Sequence, residues 1–122
     1  MDKKERPILE NLINSKTTAI EKFQNEVIRP IITQQHSFLI AVFQHYLFKR
    51  KIDFSNISEE KKTATINTSL KNDVNFKNLL IGSVIGHFSI DELVVYHQNT
   101  SDFNRRITQI INQRFIDNSY EI

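Results

Sequence analysis

Residues 38–48 read FLIAVFQHYLF, and this stretch decides the fold. Apolar side chains occupy nearly every side of a helix with this sequence, which is typical of a helix buried at the centre of a bundle. Upstream, apolar residues continue at helical spacing, at Ile20, Phe23, Val27 and Ile31. We therefore predict one long central helix over residues 18–51, kinked where Pro30 removes a backbone hydrogen bond.

Four more helices are predicted downstream, and each is marked by a residue type that caps helix N-termini. The candidate caps are Ser58, Asn72 or Asp73, Ser89 and Ser101. Ser89 and Glu92 also have the spacing of a capping box, in which each side chain bonds the backbone N–H of the other residue. We expect the helix after Asp73 to extend to about Phe88, and the last helix to about Asn118.

Only two glycines occur among the 122 residues, which leaves little material for tight β-hairpins. The sequence therefore predicts an all-α fold, a single-domain bundle of five or six helices around the long Pro-kinked helix. Residues 1–122 form this one domain, with residues 1–17 as a peripheral N-terminal segment. Gly82 and Gly86 lie four residues apart on one side of a predicted helix, so we expect another backbone to pack closely against them.

Composition and charge exclude several classes of protein. The chain has no cysteine, which excludes disulfides, thiolate zinc sites and cysteine nucleophiles. Sixteen Lys plus Arg against 14 Asp plus Glu give a net charge of +2, too small to predict nucleic acid or an acidic membrane as a partner. The basic residues at 49–51 and 105–106 are interpreted as solvated helix faces, with nucleic-acid binding as the less favoured alternative.

Two further features concern the location of the protein. The longest nearly apolar stretch, residues 79–88, has about half the length that a membrane span needs. The first six residues, MDKKER, are mostly charged and lack the apolar stretch of a secretory signal. We therefore expect a cytoplasmic protein that does not bind membranes.

Five polar residues are candidates for a pocket or a polar core: His45, His87, Glu92, Tyr96 and Arg114. No two histidines lie three or four residues apart, and none ends a Glu-x-x-His motif, so we predict no metal site, no cofactor and no catalytic residue. His45 and His87 follow the apolar stripes of their helices, so both are expected to be partly buried. Each is interpreted as a core imidazole, and a pocket acid or base is the alternative.

Arg114 is the least expected residue of the last helix. It falls on the apolar stripe of that helix, with Phe103, Ile107, Ile110 and Ile111. A buried guanidinium is costly unless it is paired and fully hydrogen-bonded. Four interpretations stay open: Arg114 reaches solvent at the helix end, pairs with a carboxylate such as Glu92, lies in a subunit contact, or binds a small anionic ligand.

A resemblance to a known family covers residues 18–116. The residues that carry it are Phe23-Gln24-Asn25, Arg29-Pro30-Ile31-Ile32, Gln35, Phe43, Tyr46, Ile85-Gly86-His87-Phe88-Ser89, Glu92, Tyr96, Asn99, Ser101, Asn104-Arg105-Arg106 and Arg114. In these positions the chain resembles a family of small, uncharacterised, all-helical bacterial proteins, some of which carry the label glyoxalase. That label implies an enzyme of methylglyoxal metabolism. The usual fold of such enzymes is a metal-binding βαβββ module with His and Glu ligands on strands, whereas this chain has helical periods.

The sequence favours a non-catalytic helical module that forms homo-oligomers, most simply a dimer, or binds another partner. Two predicted central helices are apolar almost all round, and the few amphipathic helices that remain leave part of them to be covered by a second subunit. The alternative is a small-molecule enzyme or ligand carrier in which the five polar candidates converge on a pocket between helices. The two classes differ in whether those side chains line one cavity.

Overall fold

The computed structural model describes residues 18–122, so the predicted peripheral segment 1–17 lies outside the described residues. Within 18–122 every regular element is helical and none is a strand, which confirms the predicted all-α single domain. The helices are α1 (18–23), α2 (Arg29–Gln34), α3 (His36–Lys49), α4 (Glu59–Asn72), α5 (Val74–Ile85), α6 (Ile90–Gln98) and α7 (Thr100–Asp117). A π-helical turn, Gln24–Ile28, joins α1 to α2 in one continuous segment, and short 3-10 turns occupy Phe54–Asn56 and Ser119–Glu121.

The predicted helix over residues 18–51 is interrupted twice. In the π turn, the backbone N–H of Arg29 donates to the carbonyl oxygen of Gln24, five residues back instead of four. Pro30 follows directly and has no N–H, so the irregular turn ends where an α-helical hydrogen bond is missing in any case. The second break is Gln35, whose φ of −93° and ψ of 13° separate α2 from α3.

The end of α3 is a Schellman motif. Lys51 adopts a left-handed backbone conformation, with a φ of 57°. The N–H of Lys51 donates to the carbonyl oxygen of Phe48 at 3.0 Å, and the N–H of Ile52 donates to that of Leu47 at 3.1 Å. The last carbonyls of the central helix are therefore satisfied before the chain turns towards α4.

The core is built around aromatic rings that join α3, α5 and α7. The Phe43 ring is fully buried, and its centroid lies 4.7 Å from that of Phe115 and 5.8 Å from that of Phe76. Tyr46, one turn further along α3, stacks on Phe76 at 3.9 Å. A second cluster places Phe23 of α1 5.6 Å from Phe88 and 4.9 Å from Phe103. Residues from distant parts of the sequence thus meet in the core.

Three of the four predicted caps are present. Ser58 accepts a hydrogen bond from the Lys61 N–H, and Asp73 accepts one from the Phe76 N–H at 3.0 Å. Ser89 and Glu92 form the full capping box at the start of α6. The prediction that Ser101 caps the last helix is wrong. That helix begins at Thr100, two residues earlier than expected, and its N-cap residue, Asn99, makes no side-chain cap bond.

The prediction that Gly82 and Gly86 pack against another backbone is wrong. Both glycines are exposed, and a Cβ atom built at Gly82 would meet nothing within 4 Å. A Cβ at Gly86 would meet backbone oxygens of its own helix, the nearest being that of Gly82 at 3.3 Å. The reason is that α5 buries its opposite side, which carries Leu80 and Val84. No helix among residues 18–122 is long and apolar enough to cross a membrane.

Candidate functional site

The two candidate histidines are exposed, so the prediction that they are partly buried is wrong. His45 lies on the outer side of α3, because Phe43, Tyr46 and Leu47 supply the buried side of that helix. His87 lies beyond the end of α5 at Ile85, so the helical spacing that placed it on the apolar side no longer holds there. Neither imidazole is a core group.

Glu92 and Tyr96 both serve the packing of α6. The carboxylate of Glu92 accepts the backbone N–H of Ser89 at 2.8 Å, which completes the capping box. Tyr96 is buried, and its hydroxyl donates to Asn104 Oδ1 at 2.5 Å. Burial raises the pKa of the Tyr96 phenol above its usual value. Both side chains are therefore engaged in bonds that hold the α6 region together.

Arg114 pairs with neither Glu92 nor any other carboxylate among the described residues. Its Nη2 donates to Thr33 Oγ1 at 3.0 Å, and its Nη1 lies 3.1 Å from Nδ1 of His36. Because a guanidinium can only donate, Nδ1 of His36 must accept, and the proton of the neutral ring then lies on Nε2. That nitrogen is 3.0 Å from a carboxylate oxygen of Glu121. Arg114 thus connects the end of α7 to α2, to α3 and, through His36, to the C-terminal turn.

Arg114 is also displaced from the centre of the apolar stripe on which the sequence placed it. The buried residues of α7 recur every four positions, at Phe103, Ile107, Ile111 and Phe115. Phe115 therefore takes the central place, and the half-buried Arg114 lies beside it.

The five candidates do not share one cavity. Tyr96 is bonded to Asn104, and Arg114 lies ten residues further along α7, or about 15 Å along the helix axis. His45 is on the outer side of α3, away from both. The convergence that the enzyme or carrier alternative requires is therefore not observed, and of the five only Arg114 lines a groove between the π turn and α7.

That groove, which we call the arginine groove, lies between the π turn and α7 and has a volume of about 320 Å³. Its lining consists of Gln24, Arg29, Arg106, Gln109, Ile110, Gln113, Arg114, Asp117 and Asn118. The α7 members recur at three and four residues, so they share one side of that helix, next to its buried stripe. On the opposite wall, the π turn supplies Gln24 and the first residue of α2 supplies Arg29.

Hydrogen bonds fix two of the groove's walls to each other. Arg106 Nη1 donates to Gln24 Oε1 at 2.9 Å, and Arg106 Nε donates to Asp102 Oδ1 at 3.0 Å. The hydrogen bond from Arg106 is the main cause that lowers the pKa of Asp102, and burial opposes it. Arg29 is exposed, and its Nε donates to Asn25 Oδ1 at 3.1 Å. The groove therefore presents one guanidinium that is bonded on two sides, that of Arg106, and one that is exposed, that of Arg29.

A larger groove, of about 680 Å³, lies between α4, the start of α5 and the end of α3. Its charged residue is Asp73, which caps α5 and also accepts from Arg50 and from the Tyr46 hydroxyl, the latter at 3.3 Å. The N–H of Phe76 is the main cause that lowers the Asp73 pKa, with smaller contributions from Tyr46 and Arg50. The bonds of Asp73 join α3 to α5, so we interpret this carboxylate as structural.

Sequence reasoning missed Arg29, Arg106 and His36 as site residues. Residues 24 and 29 are about 140° apart around a regular α-helix, so no helical spacing links them until the π turn is known. The Asp102 and Arg106 pair had a detectable signal, because opposite charges four residues apart are neighbours on a helix. Among residues 18–122, no group of three or more His, Asp or Glu side chains is placed to hold a metal ion.

Comparison of the chain with protein-family models, with curated proteins and with solved structures found no match.

Proposed function

We propose that this chain is a non-catalytic helical module that forms homodimers through one exposed face of α3 and α5. This face, which we call the α3–α5 face, comprises Phe38, Val42, His45, Leu79, Gly82 and Gly86. The observation that carries the proposal is the exposure of its two large apolar side chains, 53% for Phe38 and 58% for Leu79.

The contacts between α3 and α5 support treating these residues as one continuous face. Gln35 Nε2 donates to the carbonyl oxygen of Ser83, whereas Tyr46, at the other end of α3, stacks on Phe76, so the two helices run antiparallel. Viewed along the axis of α3, Phe38 lies next to Gln35 and Tyr46, at the edge of the side that contacts α5. Viewed along the axis of α5, Leu79 lies next to Ser83, at the edge of the side that contacts α3. The two exposed side chains therefore flank the same seam.

The glycines support close approach by a second molecule. Both glycines of the whole sequence lie on this face, and a Cβ at Gly82 would meet nothing within 4 Å. A glycine inside a helix costs about 0.5–1 kcal/mol relative to alanine. Nothing inside the described chain compensates that cost at Gly82, whereas the approach of a partner's helix would.

The distribution of charge favours a second copy of this chain over a charged partner. Residues 37–48 contain no Asp, Glu, Lys or Arg, and residues 74–88 contain only Lys77. Lys77 belongs to the other side of α5, where it lines a groove with Lys71 and Arg105. In a two-fold contact, charges close to the axis lie near their own copies, so a face without charges is compatible with a symmetric dimer.

The size of the face indicates a weak dimer. Two adjacent helices about 20 Å long give a face of about 400 Å² in projection. Stable complexes usually bury about 800 Å² per partner, so we expect dissociation in the micromolar range.

Sedimentation equilibrium tests the proposal. Protein concentrations from about 5 to about 500 µM span roughly two orders of magnitude in the range of a micromolar dissociation constant. Leu79→Lys should make the chain monomeric at all concentrations by placing like charges across the two-fold axis. Val94→Lys is the matched control, because Val94 is 55% exposed on α6 and should leave association unchanged. A wild-type chain that is strictly monomeric at the highest concentration refutes the proposal, and so does equal loss of association in both variants.

The alternative class, a small-molecule enzyme such as the glyoxalase label implies, has less support. It needs the five polar candidates in one cavity, and only Arg114 lines the arginine groove. That groove supports a binding site rather than a reaction.

A further inference from the structure

The arginine groove carries more positive charge than the carboxylates around it balance. Arg29, Arg106 and Arg114 line it, and Asp117 is the acidic residue of the lining. Asp102 neutralises Arg106 from outside. Among residues 18–122, no carboxylate lies within ion-pair distance of Arg29 or Arg114. The groove thus has an excess of guanidinium groups that no acidic side chain of the described chain satisfies.

Arg114 has a second unusual property. Its Nη atoms donate to the neutral acceptors Thr33 and His36, while its Nε is buried and has no hydrogen-bond partner. An unsatisfied buried donor is costly, and a charged one more so. A negative charge in the adjacent groove would lower that cost, because a guanidinium held by neutral groups keeps its full charge.

The π turn is what assembles the site. On a regular helix, Gln24 and Arg29 would face different directions, but the extra residue of the turn brings both to the groove opposite α7. The Arg106 guanidinium, held between Asp102 and Gln24, fixes this wall at a set distance from α7. Arg29 is exposed, and among the described residues its side chain donates one hydrogen bond, to the Asn25 amide oxygen, so its remaining donors can turn towards a ligand.

We propose that the arginine groove binds a small metabolite that carries a carboxylate or phosphate group together with hydroxyl groups. Guanidinium forks bind either anion through paired N–H donors. The amides of Gln109, Gln113 and Asn118, which line the same groove, can both donate to and accept from hydroxyls. A volume of about 320 Å³ suits a molecule of a few carbon atoms, at the lower end of ligand pockets. The site does not depend on dimer formation, because its residues belong to the π turn, to α2, and to α7 and the residue that follows it, and none of them is part of the α3–α5 face.

Two probes distinguish the two anion types. Glycerol 3-phosphate and malate each carry hydroxyls, and uncharged glycerol is the control for hydroxyl binding alone. Titrations of the full chain, followed by amide chemical shifts in two-dimensional NMR at constant ionic strength, should show saturable shifts at Gln24, Arg29 and Gln113 for at least one anion. Glycerol should produce none.

A pair of variants tests the role of the groove's charge. Arg29→Gln should weaken binding of the active probe about tenfold, because it removes one charge-assisted hydrogen bond without disturbing a buried contact. Arg105→Gln is the matched control. Like Arg29→Gln, it removes one guanidinium charge, but the exposed side chain of Arg105 lies outside the groove. Binding should then change less than twofold.

Three results overturn the proposal. The first is the absence of a saturable shift with either anion up to about 10 mM, the weakest affinity expected of a specific small-ligand site. The second is a set of shifts that lies only outside the groove, and the third is equal weakening by the two variants, which indicates unspecific attraction to positive charge.

Discussion

Replacing Gly82 by alanine should stabilise the isolated chain, and the structure sets the size of the effect. Gly82 is inside α5, its φ is not positive, and a Cβ atom there would meet nothing within 4 Å. Alanine therefore brings no steric cost, while it restricts the unfolded chain and favours the helix by about 0.5–1 kcal/mol. For a chain of this length, that gain corresponds to a rise in Tm of about 2–5 °C.

Gly86→Ala is the control for this prediction. Its Cβ would lie 3.3 Å from the carbonyl oxygen of Gly82, and Gly86 is the C-cap of α5 rather than an interior residue. Both differences reduce the gain, so its Tm should change by less than half as much. Thermal melts followed by circular dichroism, at a concentration where sedimentation equilibrium finds the wild-type chain monomeric, measure the monomer alone.

A lower Tm for Gly82→Ala at that concentration would falsify the reasoning, because it requires a close contact inside one chain. A second series at about 500 µM, far above a micromolar dissociation constant, examines the dimer. There the gain should shrink if the partner packs on Gly82. An equal gain at both concentrations would place Gly82 outside the dimer contact.

Three further substitutions have defined outcomes in urea unfolding experiments. Lys51→Gly should stabilise by about 1 kcal/mol, because Lys51 has a φ of 57°, and an unchanged midpoint would show that its backbone is unstrained. Arg114→Met should destabilise by about 1–3 kcal/mol by removing two hydrogen bonds, and its effect should add to that of Glu92→Gln because the two side chains do not touch. Asp73→Asn keeps the cap on Phe76, but it removes a carboxyl whose pKa is lowered in the folded chain. In the wild type this carboxyl stabilises the fold above about pH 4, and the contribution is lost as the pH falls through the folded pKa. The variant should therefore lose less stability than the wild type as the pH falls below about 4. Equal pH slopes below pH 4 in both proteins would contradict this last expectation.

The sequence was sufficient to predict the elements whose signals are local. Ser58, Asp73 and Ser89 act as caps because the residue that caps a helix and the N–H that it bonds are three residues apart. The all-α class followed from apolar spacing of the same range. Gly82 shows where this reasoning stops: helical spacing identifies which residues share a side, but whether that side is covered depends on the packing of distant helices.

The candidate site could not be predicted for a related reason. His87 was placed on an apolar side by extending α5 three residues too far, and Arg114 was placed on the stripe that Phe115 occupies. Near a helix end, a small error in length or phase reverses the direction of a side chain. The partners of Arg114 lie 78 and 81 residues away in sequence, at His36 and Thr33, and no local pattern relates residues at that distance.

Gln35 explains why the two proposed surfaces occupy separate parts of one nearly continuous run of helix. By leaving the helical conformation, it ends α2, which belongs to the wall of the arginine groove, and lets α3 start in a direction that buries Phe43. Its amide nitrogen donates to the carbonyl oxygen of Ser83, which is left free because the N–H of His87 bonds Val84 instead. The break is therefore tied to the end of α5 and to the α3–α5 face.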